Sequence, residues 1–545
     1  MSKMLDSVKE ARLDIKTKRV TNFMGGNSYE LNALDTLKMV TASSIFGEPS
    51  YYRNGEFDNA KIKDAIYDVN PLVKEFSVLD DSKFSGKKTS EIMEQVIDEA
   101  LTEDFGAVLD WAVELRKNYL MRLNPQVIMV RAAMHPNRVK FNEENPGKFK
   151  EVQKLVMSRA DEPASQLTYY LYKNKSKNNL PNILKRSWAE KLGSLNAYQV
   201  AKYKNTGLGM IDVVRISHAK SKVLDELMRT GSVEVSEEDK TWENLKSAGK
   251  TWKEILETIK LGHMALLRNL RGIFTEIDDR DICVKVLEEL KAGVLSGKQF
   301  PFRYYSAYKA VESSSINFKP LILDALEECI DISLANMPKL SGKTMTLSDN
   351  SGSAWGTIPT EYGSVTIAEI DNLSAVITAM LSDEGYVGVF GDGLEIIPIK
   401  KRDGVLSQMK LVTEKGHGVG RATENGIWLF WDKAIREKEH WDNVFIYSDM
   451  QAGHGGLYGV NPFDYDEYRH GSYIDVMKLV SKYRSTVFSK VNVFSVQTAG
   501  YTSICIPEYA YRSNVMYGWT GKEVVFADTM IKFWNEKDSE KNNQN

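Results

Sequence analysis

The sequence predicts two architectures in one chain, an all-helical region over 17–338 and an α/β domain over 339–540. Three observations predict them. Apolar residues recur at helical spacing from about 60 to 335, with brief polar breaks and no convincing strand. Beyond Pro338 short apolar runs alternate with helical stretches, the pattern of a doubly wound sheet. KTMTLSDNSGSAWG at 343–356 reads as a buried strand entering a polar loop, at the edge where such sheets hold ligands.

The elements follow in order. After the GG pair at 25–26, a helix is expected from near Ala33, with Leu34, Leu37 and Met39–Val40 near one face. Ile92–Met93, Val96–Ile97 and Ala100–Leu101 recur every four residues, as do Trp252, Ile255–Leu256 and Ile259. Helix after helix with short connections suits an α-solenoid of stacked pairs better than a single bundle. FPFRYYSAYKAV at 300–311 reads as one well-packed helix near its end, and 321–340 as a last helix and a linker. The α/β domain then reads as a strand at 343–349, a helix at 365–381 and strands at 385–393 and 394–400. A helix near 423–440, a strand at 443–449, a helix near 471–485, a strand at 490–496 and a closing helix follow.

The composition, 42% hydrophobic and 27% charged over 545 residues, is that of a soluble globular protein of several domains. A net charge of −3 hides an asymmetry. Residues 111–220 carry 20 Lys and Arg against 8 Asp and Glu, a local +12 that suggests one polyanion-binding face. Cys283, Cys329 and Cys505 lack any C-x-x-C pair and read as buried thiols of a reducing compartment. The N-terminus is charged without an apolar core, and no apolar run reaches 18 residues. A cytoplasmic protein is therefore expected.

Two constellations carry chemistry. Asp349, Ser351 and Ser353 stand at D-x-S-x-S spacing on the loop leaving the first strand. Thr423, in GVGRATENG, and Asp449, in YSDMQAG, fall at the same predicted edge. One carboxylate pair and three hydroxyls form an oxygen-only set suited to Mg2+, with Mn2+ or Ca2+ as alternatives. The second constellation is the basic tract. Its Arg131, Arg138, Lys140, Lys202, Lys204, Arg215, His218 and Lys220 are interleaved with tyrosines, as in Lys202-Tyr203-Lys204. Cations bind phosphates while rings stack on unpaired bases, which suits RNA.

Three functions compete on these residues. The first is an RNA-binding protein without catalysis. The second is a protein scaffold whose cation captures a partner's carboxylate. The third, a metal-dependent hydrolase, is disfavoured because no carboxylate stands two residues after Asp349 and no paired general acid and base is present. His417 and His454 fall in loops near the predicted site without a catalytic motif.

DNSGS with the Thr423 and Asp449 loops resembles a von Willebrand factor A domain carrying a metal-ion-dependent adhesion site. NFMGGNSYELNAL, YYRNG, KYKNTG, DVVRISHAK, FPFRYYSAY and GWTGKE resemble the TROVE module and C-terminal region of the Ro ribonucleoprotein family, including its bacterial or phage orthologues. That resemblance implies a ring of HEAT-like helical repeats closed by the A domain. It implies Y-like RNA on a basic outer surface, single-stranded 3′ ends of misfolded RNA in the hole, and transfer to an exoribonuclease. Lys202 and His218 match family positions that contact Y RNA. Where the family pattern tends to a further basic residue after KYK, this chain has Asn205–Thr206. A ring closed within one chain implies a monomer.

Overall fold

A computed structural model describes residues 19–21, 27–42, 89–174, 179–203, 209–235, 240–355, 357–360, 363–421, 426–450, 469–470, 473–498, 503–506, 511–518 and 521–543. Among the described residues every regular element between Thr89 and Asn336 is helical.

The local chemistry of these helices is visible in Phe105–Lys117. Asp104 caps its start by accepting from the Ala107 amide at 2.9 Å, and Arg116 and Lys117 occupy its last turn, where cations favour the carbonyl end. Phe105, Val108, Leu109, Ala112 and Leu115 form its buried stripe. A buried polar chain links four further helices, Asn124–Met134, Lys148–Val156, Glu162–Lys173 and Asn182–Gly193. In it Gln153 and the Trp188 indole donate to Gln166 Oε1 at 2.6 and 2.7 Å, and Gln166 donates to Gln126 at 2.7 Å. Each such bond forms inside the core, where a missing partner is costly. The network therefore fixes how these helices pair.

The last long helix of this part, Lys319–Ser333, gives way through Leu334–Asn336 to a six-stranded sheet. Its strands are β1 (Leu340–Asp349), β2 (Ser382–Phe390), β3 (Leu394–Pro398), β4 (Asn443–Ser448), β5 (Asn492–Gln497) and β6 (Ser513–Tyr517). Their order is β6-β5-β4-β1-β2-β3, parallel throughout except for antiparallel β3. β4 (NVFIYS) and β5 (NVFSVQ) are buried at every position, which is why neither carries a charged residue nor alternates apolar with exposed polar positions. Tyr447 on β4 shares a 2.7 Å hydrogen bond with Thr378 of the Ile367–Leu381 helix. Phe494 on β5 stacks on Trp534 of the Glu523–Asn543 helix, with ring centres 5.6 Å apart. A second helical pair, Gly426–Arg436 and Val476–Thr486, packs Trp431 edge-on to Tyr483 at 5.4 Å.

The two parts touch at both ends of the helical region. Near the start, strands Arg19–Thr21 and Asn27–Glu30 form an antiparallel sheet whose third strand is Ser503–Ile504. At the other end, Lys309 of the Pro301–Glu312 helix pairs with Glu369 at 3.2 Å, and Tyr305 donates to the same carboxylate at 3.4 Å. Asp331 accepts from the Val405 amide at 2.8 Å, a cap supplied across the boundary. Phe302, Tyr304 and Tyr305 are buried, so the aromatic run at 300–311 is packing, as the sequence indicated.

A cleft of about 450 Å³ lies where Glu114, Tyr119 and Phe300 of the helical part meet Met516, Lys522 and Phe526. Burial lowers the Lys522 ammonium to about 8, opposed by Glu114 and Glu523 and reinforced by Arg303. A lowered amine pKa means that the unfolded chain binds a proton the folded chain lacks between about 8 and 10.5. Stability from this group therefore rises with pH across that window and is lost on descending through it. Lys522→Met is expected to flatten that rise in urea midpoints measured from pH 7.5 to 10.5. An unchanged slope would refute the assignment.

Candidate cation site and basic face

The sheet order reverses between β1 and β4, and Asp349 and Asp449 stand at the carboxyl ends of these two neighbouring strands. That is the topological switch point, where loops diverge and leave a crevice. Both aspartates and Ser351 are fully buried, and Ser353 is partly exposed. Ser353 Oγ donates to Asp449 Oδ2 at 2.9 Å and lies 3.2 Å from Ser351 Oγ. The Ser351 amide donates to Asp349 Oδ1 at 2.9 Å. Four of the five sequence-predicted oxygen donors thus form one hydrogen-bonded cluster.

Thr423, the fifth, lies outside the described residues, as does His454. Arg421 lies beside the cluster, where its carbonyl accepts from the Gly352 amide at 2.7 Å. Two further contacts fix the same approach. The Trp355 indole donates to the Asn350 carbonyl at 2.9 Å, and its ring stacks on His417 with centres 4.1 Å apart.

Ser448 was not legible as a site residue. Its hydroxyl donates to Asp349 Oδ2 at 2.6 Å and accepts from the Met450 amide at 3.0 Å, so it orients the first carboxylate. The only signal was its place before Asp449, where a serine is ordinary. Beneath the loop, Asn372 and Asn350 exchange paired amide hydrogen bonds at 2.9 and 3.0 Å, and Ser348 donates to Asn372 at 2.7 Å. Burial raises the pKa of Asp349, with the Ser448 and Ser351 hydrogen bonds opposing. Two carboxylates and neighbouring hydroxyls form a donor chemistry that fits a small, hard ion. Among the described residues no group of three or more His, Cys, Asp or Glu has the spacing of a cation cage.

The basic tract divides into inward and outward members. Arg131 sits 2.8 Å from Asp98 Oδ1 through its Nε, within 4.0 Å of Glu94, and also donates to Tyr169. Its charge is already matched inside the helical stack. This pairing was invisible in sequence because Asp98 lies 33 residues earlier. Arg138 begins the Arg138–Glu144 helix half-buried, and Lys140 on the same helix is exposed. Lys202, Arg215, His218 and Lys220 are all exposed. They belong to the Ala197–Tyr203 and Met210–Ser217 helices and the turn leading to Lys222–Thr230. His218 ends its helix in the left-handed region, at φ 58°. Lys204 lies outside the described residues.

Tyr198 and Tyr203 flank Lys202. The Lys202 ammonium lies 5.5 and 5.6 Å from their ring centres, and the Arg159 guanidinium lies 5.1 Å from that of Tyr203. Tyr198 was not singled out from the sequence, although its position four residues before Lys202 places both on one helical face.

A helical region followed by an α/β domain with an oxygen-lined switch point defines a two-domain class. Within it, residues 229–321 match the family model of the TROVE domain. The chain also matches the crystal structure of the Ro (RSR) protein of Deinococcus radiodurans, with a TM-score of 0.56 and 13% identity. The match covers 84% of this chain and 100% of that one, a likeness of fold. No curated protein matches the sequence. The TROVE match falls within the helical region, and the structural match is one of fold. Among the described residues no helix is long and apolar enough to cross a membrane.

Proposed function

We propose that this chain is an RNA-binding protein of the Ro type, acting in RNA quality control or processing and not as an enzyme. The observation that carries the reading is the exposure of Lys202, Arg215, His218 and Lys220 on successive helices, with the Lys202 ammonium beside the rings of Tyr198 and Tyr203. It supports Y-like RNA as the ligand of the outer surface. The contacts at both ends of the helical region support a ring closed within one chain, hence a monomer, with room for a single-stranded 3′ end in its hole. Handover to an exoribonuclease and a cytoplasmic location belong to the same reading. The cluster of Asp349, Ser351, Ser353 and Asp449, joined by Thr423, would hold one divalent cation, Mg2+ in preference to Mn2+ or Ca2+. When bound, the ion supplies a positive charge at the sheet edge. Ser353, on the partly exposed side, favours a second use of the same site, in which the ion takes a carboxylate from a partner protein.

The test is binding of a structured RNA with a free 3′ tail across a salt series. Lys202→Ala/Arg215→Ala/Lys220→Ala is expected to weaken binding at low salt. It should also make the plot of log affinity against log salt shallower by about 2, from three lost phosphate contacts on single-stranded RNA. Asp349→Ala should leave that slope unchanged. Wild type that fails to bind at low salt would sink the RNA reading and leave the partner-protein one.

A further inference from the structure

His417 has no part in the readings above, and the structure gives it a partner. Its amide donates to the Thr413 carbonyl at 3.1 Å, so the last turn of the Val405–Gly416 helix sets its place. Its ring lies on that of Trp355 with centres 4.1 Å apart and planes 19° from parallel. His417 is exposed and Trp355 only partly so. The indole covers one face of the imidazole, and His417 is the member of the stack nearer solvent. Rings near a surface ordinarily reorient, but these two are held. The Trp355 indole donates back to the carbonyl of Asn350, which is fully buried. The Asn372 amide donates both to Asn350 at 3.0 Å and to the Thr413 hydroxyl at 3.2 Å. One asparagine thus ties the loop that carries the indole to the helical turn that carries the imidazole. A platform already in place loses little freedom when a ligand arrives.

The same loop brings a cation. A methyl group on Gly352 would lie 3.4 Å from Arg421 Cβ and 3.9 Å from its Cδ, so the arginine stem runs past Gly352, three residues before Trp355. Arg421 is exposed. Stacked rings and a guanidinium around one loop are the parts that hold an unpaired nucleotide, the ring against the base and the cation at its phosphate. Residues 341–545 carry 20 Lys and Arg against 26 Asp and Glu. A domain of that charge repels a long run of phosphates, so the site suits a base taken by its face. Charge counting overlooks such a site for the same reason.

We propose that His417, backed by Trp355, is a stacking platform for an unpaired base of single-stranded RNA, with Arg421 at the adjoining phosphate. The inference rests on the RNA reading above and adds to it a base-binding site on the α/β domain. It needs no cation in the neighbouring oxygen cluster.

The experiment measures, by fluorescence anisotropy, binding of the full chain to a labelled oligoadenylate of about ten nucleotides and to an abasic oligomer of the same length. It is repeated in the Lys202→Ala/Arg215→Ala/Lys220→Ala protein, so that losses trace to the α/β domain. His417→Ala is expected to weaken oligoadenylate binding by about 5- to 150-fold, the range for one lost stacking partner, and to leave the abasic oligomer unchanged. His417→Phe keeps a flat ring and should bind oligoadenylate as wild type does. Arg421→Ala should weaken both oligomers and make the salt slope shallower by about 0.7, one phosphate contact on a single strand. Melting by circular dichroism confirms that each variant is folded. A folded His417→Ala protein that binds oligoadenylate as wild type does, or loses both oligomers equally, would overturn the proposal. Wild type that binds structured RNA but not oligoadenylate would also overturn it, leaving the exposed ring to a partner protein. Wild type that binds no RNA at all would overturn the RNA reading itself, and this site with it.

Discussion

Replacing Arg116 by Met is expected to destabilise the helical region by about 3–5 kcal/mol, the cost of leaving one member of a buried ion pair alone. Arg116 is almost fully enclosed and meets Glu162 at 2.7 Å, with side-chain exposures of 10% and 3%. It also donates to the carbonyls of Val156 and Met121 at 3.2 and 3.4 Å and to the Ser158 hydroxyl. One side chain thus joins the Phe105–Lys117 helix to the end of Lys148–Val156 and the start of Glu162–Lys173. Methionine fills the volume but satisfies none of these acceptors. Burial already raises the Glu162 pKa even with Arg116 opposing. A raised carboxyl contributes stability that is complete below the ordinary carboxylate pKa and is lost as pH rises through the folded value. The deficit of Arg116→Met should therefore be smaller at pH 4.5 than at pH 8. Urea midpoints by circular dichroism at the two pH values, with Arg116→Met/Glu162→Met as the partner variant, decide it. The double variant is expected to recover most of the loss. Equal deficits in the single and double variants would mean that the carbonyl bonds, not the ion pair, hold this corner.

The contrast between Arg131 and Lys202 shows what sequence could and could not carry. Both are cations in one basic tract, and composition weighs them alike. Only the fold brings Asp98 and Glu94 to Arg131 while leaving Lys202 between two rings. In the α/β domain the strands at 443–448 and 492–497 were legible because burial on both faces leaves short, uncharged, mostly apolar runs. The hairpin of Thr357–Thr360 and Gly363–Thr366 was not, since TIPT and GSVT are short, polar and carry a proline. Edge strand β6, SNVMY, was missed for similar reasons. The apolar run at 394–400 read as a strand, but nothing in it distinguishes antiparallel β3 from a parallel neighbour. For the oxygen cluster, the neighbourhood of D-x-S-x-S and Asp449 was legible because strand ends converge in a doubly wound sheet. Ser448 was not, because a serine in a strand acquires meaning only from what packs against it.

Gly416→Ala is expected to disable the cation cluster from outside it. Gly416 closes the Val405–Gly416 helix, and a methyl group there would lie 2.6 Å from Asn350 Cγ. Helix propensity alone favours alanine by about 1 kcal/mol. Overpacking opposes it by about 1–3 kcal/mol, and more where the neighbour cannot yield. Asn350 cannot yield easily. Its amide exchanges two hydrogen bonds with Asn372 and donates to the Ser348 carbonyl at 3.1 Å, and its own carbonyl takes the Trp355 indole. Moving it breaks the buried pair and shifts the residue next to Asp349. The net result should be a loss of about 2 kcal/mol or more, with the Mg2+-dependent rise in melting temperature weakened or abolished. Gly393→Ala is the matched control. Its added methyl would meet only the Val419 carbonyl at 3.9 Å, an ordinary contact, so the Mg2+ response should survive. A Gly416→Ala protein that keeps both its stability and its Mg2+ response would mean that the loop tolerates displacement of Asn350. The amide network beneath Asp349 would then be packing and not part of what aligns the cation donors.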